Sequence, residues 1–215
     1  MPKKIKGILF DFDGVIADSE KMWFDIAIST LKILGIPYDK TIKQKATIGI
    51  ISEHLFQMLI LEPKYDLPKI MKVYKKHLKK TFGEHNPPIY PHLKKFIRTT
   101  SLKIGIVTNA HLSYVVNILQ HNDLLSYFKG NITSCTGPIP YKPFKDGYVI
   151  GSKKLGLKPS DVLVIEDSDV GIEAALKAKV QMVLRHTNND HNLPPKIKHR
   201  VPKILNYRDF GKRFN

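Results

Sequence analysis

Four short stretches carry residue types that could do chemistry together. Asp11-Phe12-Asp13-Gly14-Val15 sets two carboxylates at i and i+2, and Glu166-Asp167-Ser168 adds a second acidic pair. Thr108-Asn109-Ala110 offers a hydroxyl and an amide, and Tyr141-Lys142-Pro143 offers a lysine. Two acidic pairs make a hard-oxygen site suited to Mg²⁺. A lysine and a hydroxyl beside them would hold a phosphate. Singly, each stretch is weak. Asp-x-Asp pairs commonly cap turns, a Thr-Asn after a strand is weaker still, and a solitary lysine is usually a surface group. What they share is placement in one order along the chain, three of them at the end of an apolar run.

Those runs read as buried strands. Ile5 to Phe10, Leu102 to Val107, Asp161 to Ile165 and Val180 to Leu184 are each about five residues, rich in β-branched groups and closed by polar residues. Helical spacing lies between them. Leu112, Val115, Val116 and Leu119 recur at three and four residues. Val170, Ala174, Ala175 and Ala178 do the same, with Ser168 as the N-cap, and Phe144 to Leu155 is a further helix. Strands alternating with helices predict an α/β protein with a mostly parallel sheet, and in such sheets ligands bind at the carboxyl ends of the strands. The four stretches therefore converge.

From about Ser19 to about Phe82 the rhythm changes to helices alone. Trp23, Ile26, Ala27, Thr30, Leu31 and Leu34 mark one helix, stopped by Gly35-Ile36-Pro37. His54 to Leu61 and Ile70 to Leu78 mark two more, and Gly83 to Pro88 reads as the exit linker. The predicted organisation is an α/β core of residues 1–17 and 86–215 with a helical insert of residues 18–85. After Leu193 we expect one strand (Lys203-Ile204-Leu205) and a short helix, with no assigned chemistry.

The 215 residues carry 35 Lys and Arg against 19 Asp and Glu, a net charge of +16. Hydrophobic residues at 42% and charged residues at 25% fit a folded globular chain and exclude disorder. The lysines are scattered over nearly every segment, which reads as a solvated surface, and no nucleic-acid-binding motif is present, so nucleic acid is not the expected partner. The single Cys135 excludes an internal disulfide and a cysteine-based zinc site, and reads as a small buried hydrophobe. No apolar run approaches the roughly 18 residues of a membrane span. Gly7 to Phe10 is too short for a signal peptide. We expect a cytoplasmic protein, a monomer or weak dimer.

Asp11-Phe-Asp-Gly-Val-Ile-Ala-Asp-Ser19, Val107-Thr-Asn109, Lys142-Pro143 and Val164-Ile-Glu-Asp-Ser-Asp-Val-Gly-Ile-Glu-Ala-Ala175 resemble the four motifs of the haloacid dehalogenase-like hydrolases. The likeness is nearest to the branch with β-phosphoglucomutase and phosphoglycolate phosphatase. It spans about Lys6 to Leu184, and the helical insert falls where that branch carries its small cap. The third motif departs slightly, with Phe144-Lys145 where a small residue and a proline are usual. The resemblance implies a Rossmann-like core and Mg²⁺-dependent phosphoryl transfer on a small phosphorylated metabolite. It implies Asp11 as nucleophile, forming an aspartyl-phosphate, and Asp13 as general acid and base. It makes Thr108, Asn109 and Lys142 the phosphate-binding groups. Asp11, Asp167 and the backbone carbonyl of Asp13 become the metal ligands, with Glu166 orienting a metal-bound water. Gly14 would permit close backbone approach at the turn. In that family an Asp at position 13 separates phosphoryl transfer from dehalogenation.

Specificity would come from the cap. Thr47-Ile48-Gly49-Ile50 resembles the cap loop that enters such sites, yet Ile48 and Ile50 read as cap core ahead of substrate contacts, and Lys45 is the nearest charge. Trp23 falls near the place where the mutase carries a histidine that helps time proton transfer. An indole cannot do acid–base work, so a phosphatase is expected ahead of a mutase, with Trp23 as packing. A catalytically silent binding protein with a basic surface is the reading from another class. His111 reads as a surface histidine at a helix start.

Overall fold

The computed structural model describes residues 4–43, 52–84, 86–186, 201–204 and 206–214. In chain order the elements are β1 (Gly7–Phe10), α1 (Glu20–Ile33), α2 (Ser52–Leu59), α3 (Leu67–Glu84), α4 (Leu93–Thr99), β2 (Lys103–Thr108) and α5 (Leu112–His121). There follow β3 (Ile132–Ser134), α6 (Asp146–Lys154), β4 (Val162–Glu166), α7 (Asp169–Lys177), β5 (Met182–His186), β6 (Lys203–Ile204) and α8 (Tyr207–Phe214). The chain divides into two compact units, residues 1–18 with 88–215, and residues 19–87.

The first unit is a six-stranded sheet in the order β3-β2-β1-β4-β5-β6, with every pairing parallel. Strands of a parallel sheet are covered on both faces, so they need continuous apolar runs. β1, with all four residues buried, is the centre. Its register sets Leu9 between Gly105 of β2 and Val164 of β4. Alternation then sorts the side chains into two layers. Ile8, Phe10, Ile106, Leu163, Ile165 and Leu184 face one way, onto residues of α4, α5 and α8 such as Phe96, Ile118 and Phe210. Leu9, Val107, Val162, Val164 and Val183 face the other, onto residues of α6 and α7 such as Tyr148, Ile172 and Ala175. Each large apolar side chain buried this way contributes about 2 kcal/mol. The strand order reverses beside β1, the place where open α/β sheets leave a crevice at their carboxyl edge.

The strands lie where the apolar runs predict them, displaced one or two residues toward their carboxyl ends. β3 and α4 go beyond the expected elements. At three and seven residues they are too short for periodicity to register. The exit linker is corrected as well. α3 continues through Gly83 and Glu84, because glycine in a last helical turn costs only about 1 kcal/mol.

The second unit holds α1, α2 and α3, packed through Ile26, Ala27, Leu31, Leu55, Phe56, Leu59, Ile70 and Tyr74. α1 ends where Gly35-Ile36 predicts. The Gly35 N–H donates to the Lys32 carbonyl and the Ile36 N–H to the Leu31 carbonyl, a Schellman pattern that satisfies the orphan carbonyls. Trp23 packs against this cluster, as expected of a packing residue. Thr47 to Ile50, and Lys45 beside them, lie outside the described residues. Among the described residues no helix is long and apolar enough to cross a membrane.

Candidate active site

β1 delivers Asp11 to the carboxyl edge of the sheet, where its N–H donates to the Ile165 carbonyl and so extends the ladder by one bond. The chain then turns tightly. The N–H groups of Val15, Ile16 and Ala17 all point at the Phe12 carbonyl, and Gly14 takes φ 74°, a conformation that a side chain would strain. β4 delivers Glu166 one strand away, followed by Asp167 and by Ser168, whose hydroxyl accepts the Gly171 N–H and caps α7.

Lys142 draws these ends together. Its ammonium donates to Asp11 Oδ1 at 2.6 Å and to Glu166 Oε1 at 2.6 Å, and it is buried. Its own N–H donates to Asn109 Oδ1 at 2.9 Å, so the loop carrying Lys142 is tied to the end of β2. Thr108 is buried, and its Oγ1 accepts the Ala110 N–H at 3.0 Å, which leaves its hydroxyl proton to donate. Asp13 is half-buried and takes a hydrogen bond from the Tyr114 hydroxyl at 2.9 Å.

Glu166, fully buried, is the hub. Oε1 accepts from Lys142 and from the Tyr148 hydroxyl at 2.5 Å. Oε2 accepts the N–H groups of Asp167 and Ser168 and the Ser168 hydroxyl. Both oxygens are thus committed to protein donors. α7 passes so close that a β-carbon on Gly171 would stand 1.8 Å from Oε1. The ring of Tyr148 lies 5.2 Å from the Lys142 nitrogen, adding a cation–π contact to the same hub.

Carboxylate oxygens of Asp11, Glu166 and Asp167 lie within 4.8 Å of one another, and all three residues are buried. With all three ionised, the carboxylates outnumber the one ammonium by two charges. Burial, then the charge of Glu166, pushes the Asp11 carboxyl well above its ordinary range, with Lys142 pulling the other way. Burial draws the Lys142 ammonium down, and Asp11 and Glu166 more than reverse it, so it stays protonated. An all-oxygen donor set with two uncompensated negative charges is what a hard divalent cation neutralises. Asp11 and Asp167 could hold such a cation, whereas both oxygens of Glu166 already accept from protein donors.

Two buried rings support the turn that carries Asp13. His186 Nδ1 lies 2.9 Å from the Gly14 carbonyl, so that nitrogen carries the proton, and the Tyr207 hydroxyl donates to the Val15 carbonyl at 2.9 Å. The two rings stack at 5.0 Å. The C-terminal segment, without assigned chemistry at the level of sequence, thus buttresses the β1 turn. Tyr148, Tyr114, His186 and Tyr207 are the site residues to which motif reading gives no role. Gly171 falls inside the fourth motif, a glycine in the first turn of a helix directly after an acidic strand end, and the structure shows what it makes room for. His111 is exposed and Cys135 fully buried, and burial raises the Cys135 thiol to about 11.

Fold and site together define an α/β protein with a buried acidic centre at the carboxyl edge of its parallel sheet. The family model described as haloacid dehalogenase-like hydrolase matches residues 8–184, and the chain belongs to that family. A phosphorylated carbohydrates phosphatase of Thermotoga maritima is 26% identical over 193 residues, 86% of this chain and 88% of that one. A β-phosphoglucomutase of Bacillus subtilis is 24% identical over 81% of this chain and 80% of its own length. A solved structure described as a predicted phosphoglycolate phosphatase from Haemophilus somnus superposes with a TM-score of 0.81, covering 99% of each chain at 19% identity, a likeness of fold.

Proposed function

We propose that the chain is a Mg²⁺-dependent phosphomonoesterase of small phosphorylated metabolites, with phosphorylated carbohydrates the leading class. The observation that carries this reading is the buried pairing of Asp11 with Lys142 beside Asp167, a nucleophile held in a centre with net negative charge to spare. The relatives named as phosphatases support the substrate class.

The chemistry runs in two displacements. An Asp11 oxygen attacks phosphorus as the bond to the leaving oxygen breaks, giving an aspartyl-phosphate. Asp13 passes its proton to the departing alkoxide and becomes a carboxylate, a role worth on the order of 10² to 10⁴ in rate. Asp13 then takes a proton from water as the water oxygen attacks phosphorus. The Asp11–phosphorus bond breaks and inorganic phosphate leaves. Lys142, the Thr108 hydroxyl and the Asn109 backbone N–H would hold the phosphoryl oxygens, charge matched to charge. Mg²⁺, held by the Asp11 and Asp167 carboxylates and the Asp13 carbonyl, would supply the positive charge that lets one anion approach another. Glu166 fixes the Lys142 ammonium and the start of α7.

Purified protein should release phosphate from p-nitrophenyl phosphate with Mg²⁺ and stop when EDTA is added. Full activity in EDTA would refute the metal requirement. Supplied with β-glucose 1-phosphate, a phosphatase releases phosphate, whereas appearance of glucose 6-phosphate would identify a mutase. A steeply salt-dependent affinity for DNA without turnover would favour a silent binding protein.

A further inference from the structure

Tyr114 is tied to the proton-transfer residue by geometry that its ring alone does not require. It lies on α5, whose start is braced on both sides. The Ala110 N–H donates to Thr108 Oγ1, and the Ala110 carbonyl accepts the Ser134 hydroxyl at 2.6 Å. Val115, Ile118 and Leu119 bury the helix against the sheet. The ring of Tyr114 meets Phe12 edge to face at 5.6 Å, and the hydroxyl beyond it reaches Asp13 Oδ1 at 2.9 Å. Packing against Phe12 would be served equally by phenylalanine. The hydroxyl has the separate effect of engaging one carboxyl oxygen of Asp13 as an acceptor.

We propose that Tyr114 is a positioning residue that presents Asp13 to the leaving group. With Oδ1 accepting from the phenol, the transferable proton rests on Oδ2, and rotation of the carboxyl group is stopped. The proton travels from Oδ2 to the leaving oxygen in the first displacement and returns to Oδ2 from water in the second. Tyr114 itself neither gains nor loses a proton. The inference rests on the phosphatase reading above, and it also ties the phosphate-binding end of β2 to the acid on the β1 turn through one rigid helix.

The test compares two substrates that differ in leaving-group quality. p-Nitrophenoxide departs with little help, whereas phenoxide depends more on the acid. In Tyr114→Phe, kcat/KM, which reports the first displacement alone, should fall about tenfold on phenyl phosphate, the size of one hydrogen bond, and less than about twofold on p-nitrophenyl phosphate. In an Asp13→Ala background, Tyr114→Phe should cost nothing further, because the two residues act as one unit. Equal losses on both substrates, no loss on either, or full additivity with Asp13→Ala would each overturn the assignment. Wild-type protein inert toward both esters would overturn the phosphatase reading and this inference with it.

Discussion

Gly171→Ala should damage the centre without touching a reacting atom. The added methyl would lie 1.8 Å from Oε1, 2.0 Å from Cδ and 2.2 Å from Oε2 of Glu166, so the carboxylate has to leave its place. It is fully buried, and its oxygens hold the Lys142 ammonium, the Tyr148 hydroxyl, two backbone N–H groups and the Ser168 hydroxyl. Breaking a buried ion pair with its hydrogen bonds costs about 3 to 5 kcal/mol. Alanine in place of glycine in the helix returns about 1 kcal/mol. The net loss is about 2 to 4 kcal/mol. With a urea slope of about 2 to 3 kcal/mol per molar, the midpoint should fall by about 1 M. Urea titration followed by circular dichroism measures it, with Glu173→Ala on the exposed face of the same helix as the control. A Gly171→Ala midpoint within about 0.2 M of wild type would refute the claim that Glu166 is locked by the close pass of α7.

The two supports of the β1 turn and the lysine at the centre give three further expectations. Tyr207→Phe removes the donor to the buried Val15 carbonyl and should cost about 1 to 3 kcal/mol in thermal or urea unfolding. An unchanged midpoint would show that the carbonyl finds another donor. His186 is buried, and burial lowers its pKa against the opposing pull of the Gly14 carbonyl and Asp18. The unfolded chain therefore takes up this proton first, so the site's contribution to stability is intact above the unfolded value of about 6.5 and is lost as pH falls through the lower folded value. His186→Asn should flatten that dependence between wild type and variant, and identical pH profiles would contradict it. Lys142→Met leaves Asp11 and Glu166 facing each other unneutralised, and should both destabilise the fold and abolish turnover. Undiminished turnover would remove Lys142 from the site.

The layout of the core was legible because a parallel sheet demands apolar runs ending in polar residues, and four such runs stand out. Asp11, Asp13, Glu166 and Asp167 were legible because two acidic pairs, each explicable alone as a turn or cap, both follow apolar runs that a parallel sheet brings together. Lys142 was legible only through the company of the acids, since no apolar run precedes it. Tyr114, Tyr148 and Tyr207 were not legible. Each is an aromatic on a half-apolar helix face, and only the three-dimensional register decides whether its hydroxyl meets water or a buried acceptor. His186 closes a strand like any polar residue, and its carbonyl partner lies 172 positions away. β3 and α4 escaped because three and seven residues are too few for a period to show.

The central claim is that Asp11 is the nucleophile, and Asp11→Asn measures it most directly. The amide keeps the size of the side chain and removes the attacking carboxylate. With saturating Mg²⁺ and p-nitrophenyl phosphate, the variant should fold as wild type does and lose at least about 10³-fold in kcat. An Asp11→Asn protein that turns over at the wild-type rate would contradict the account.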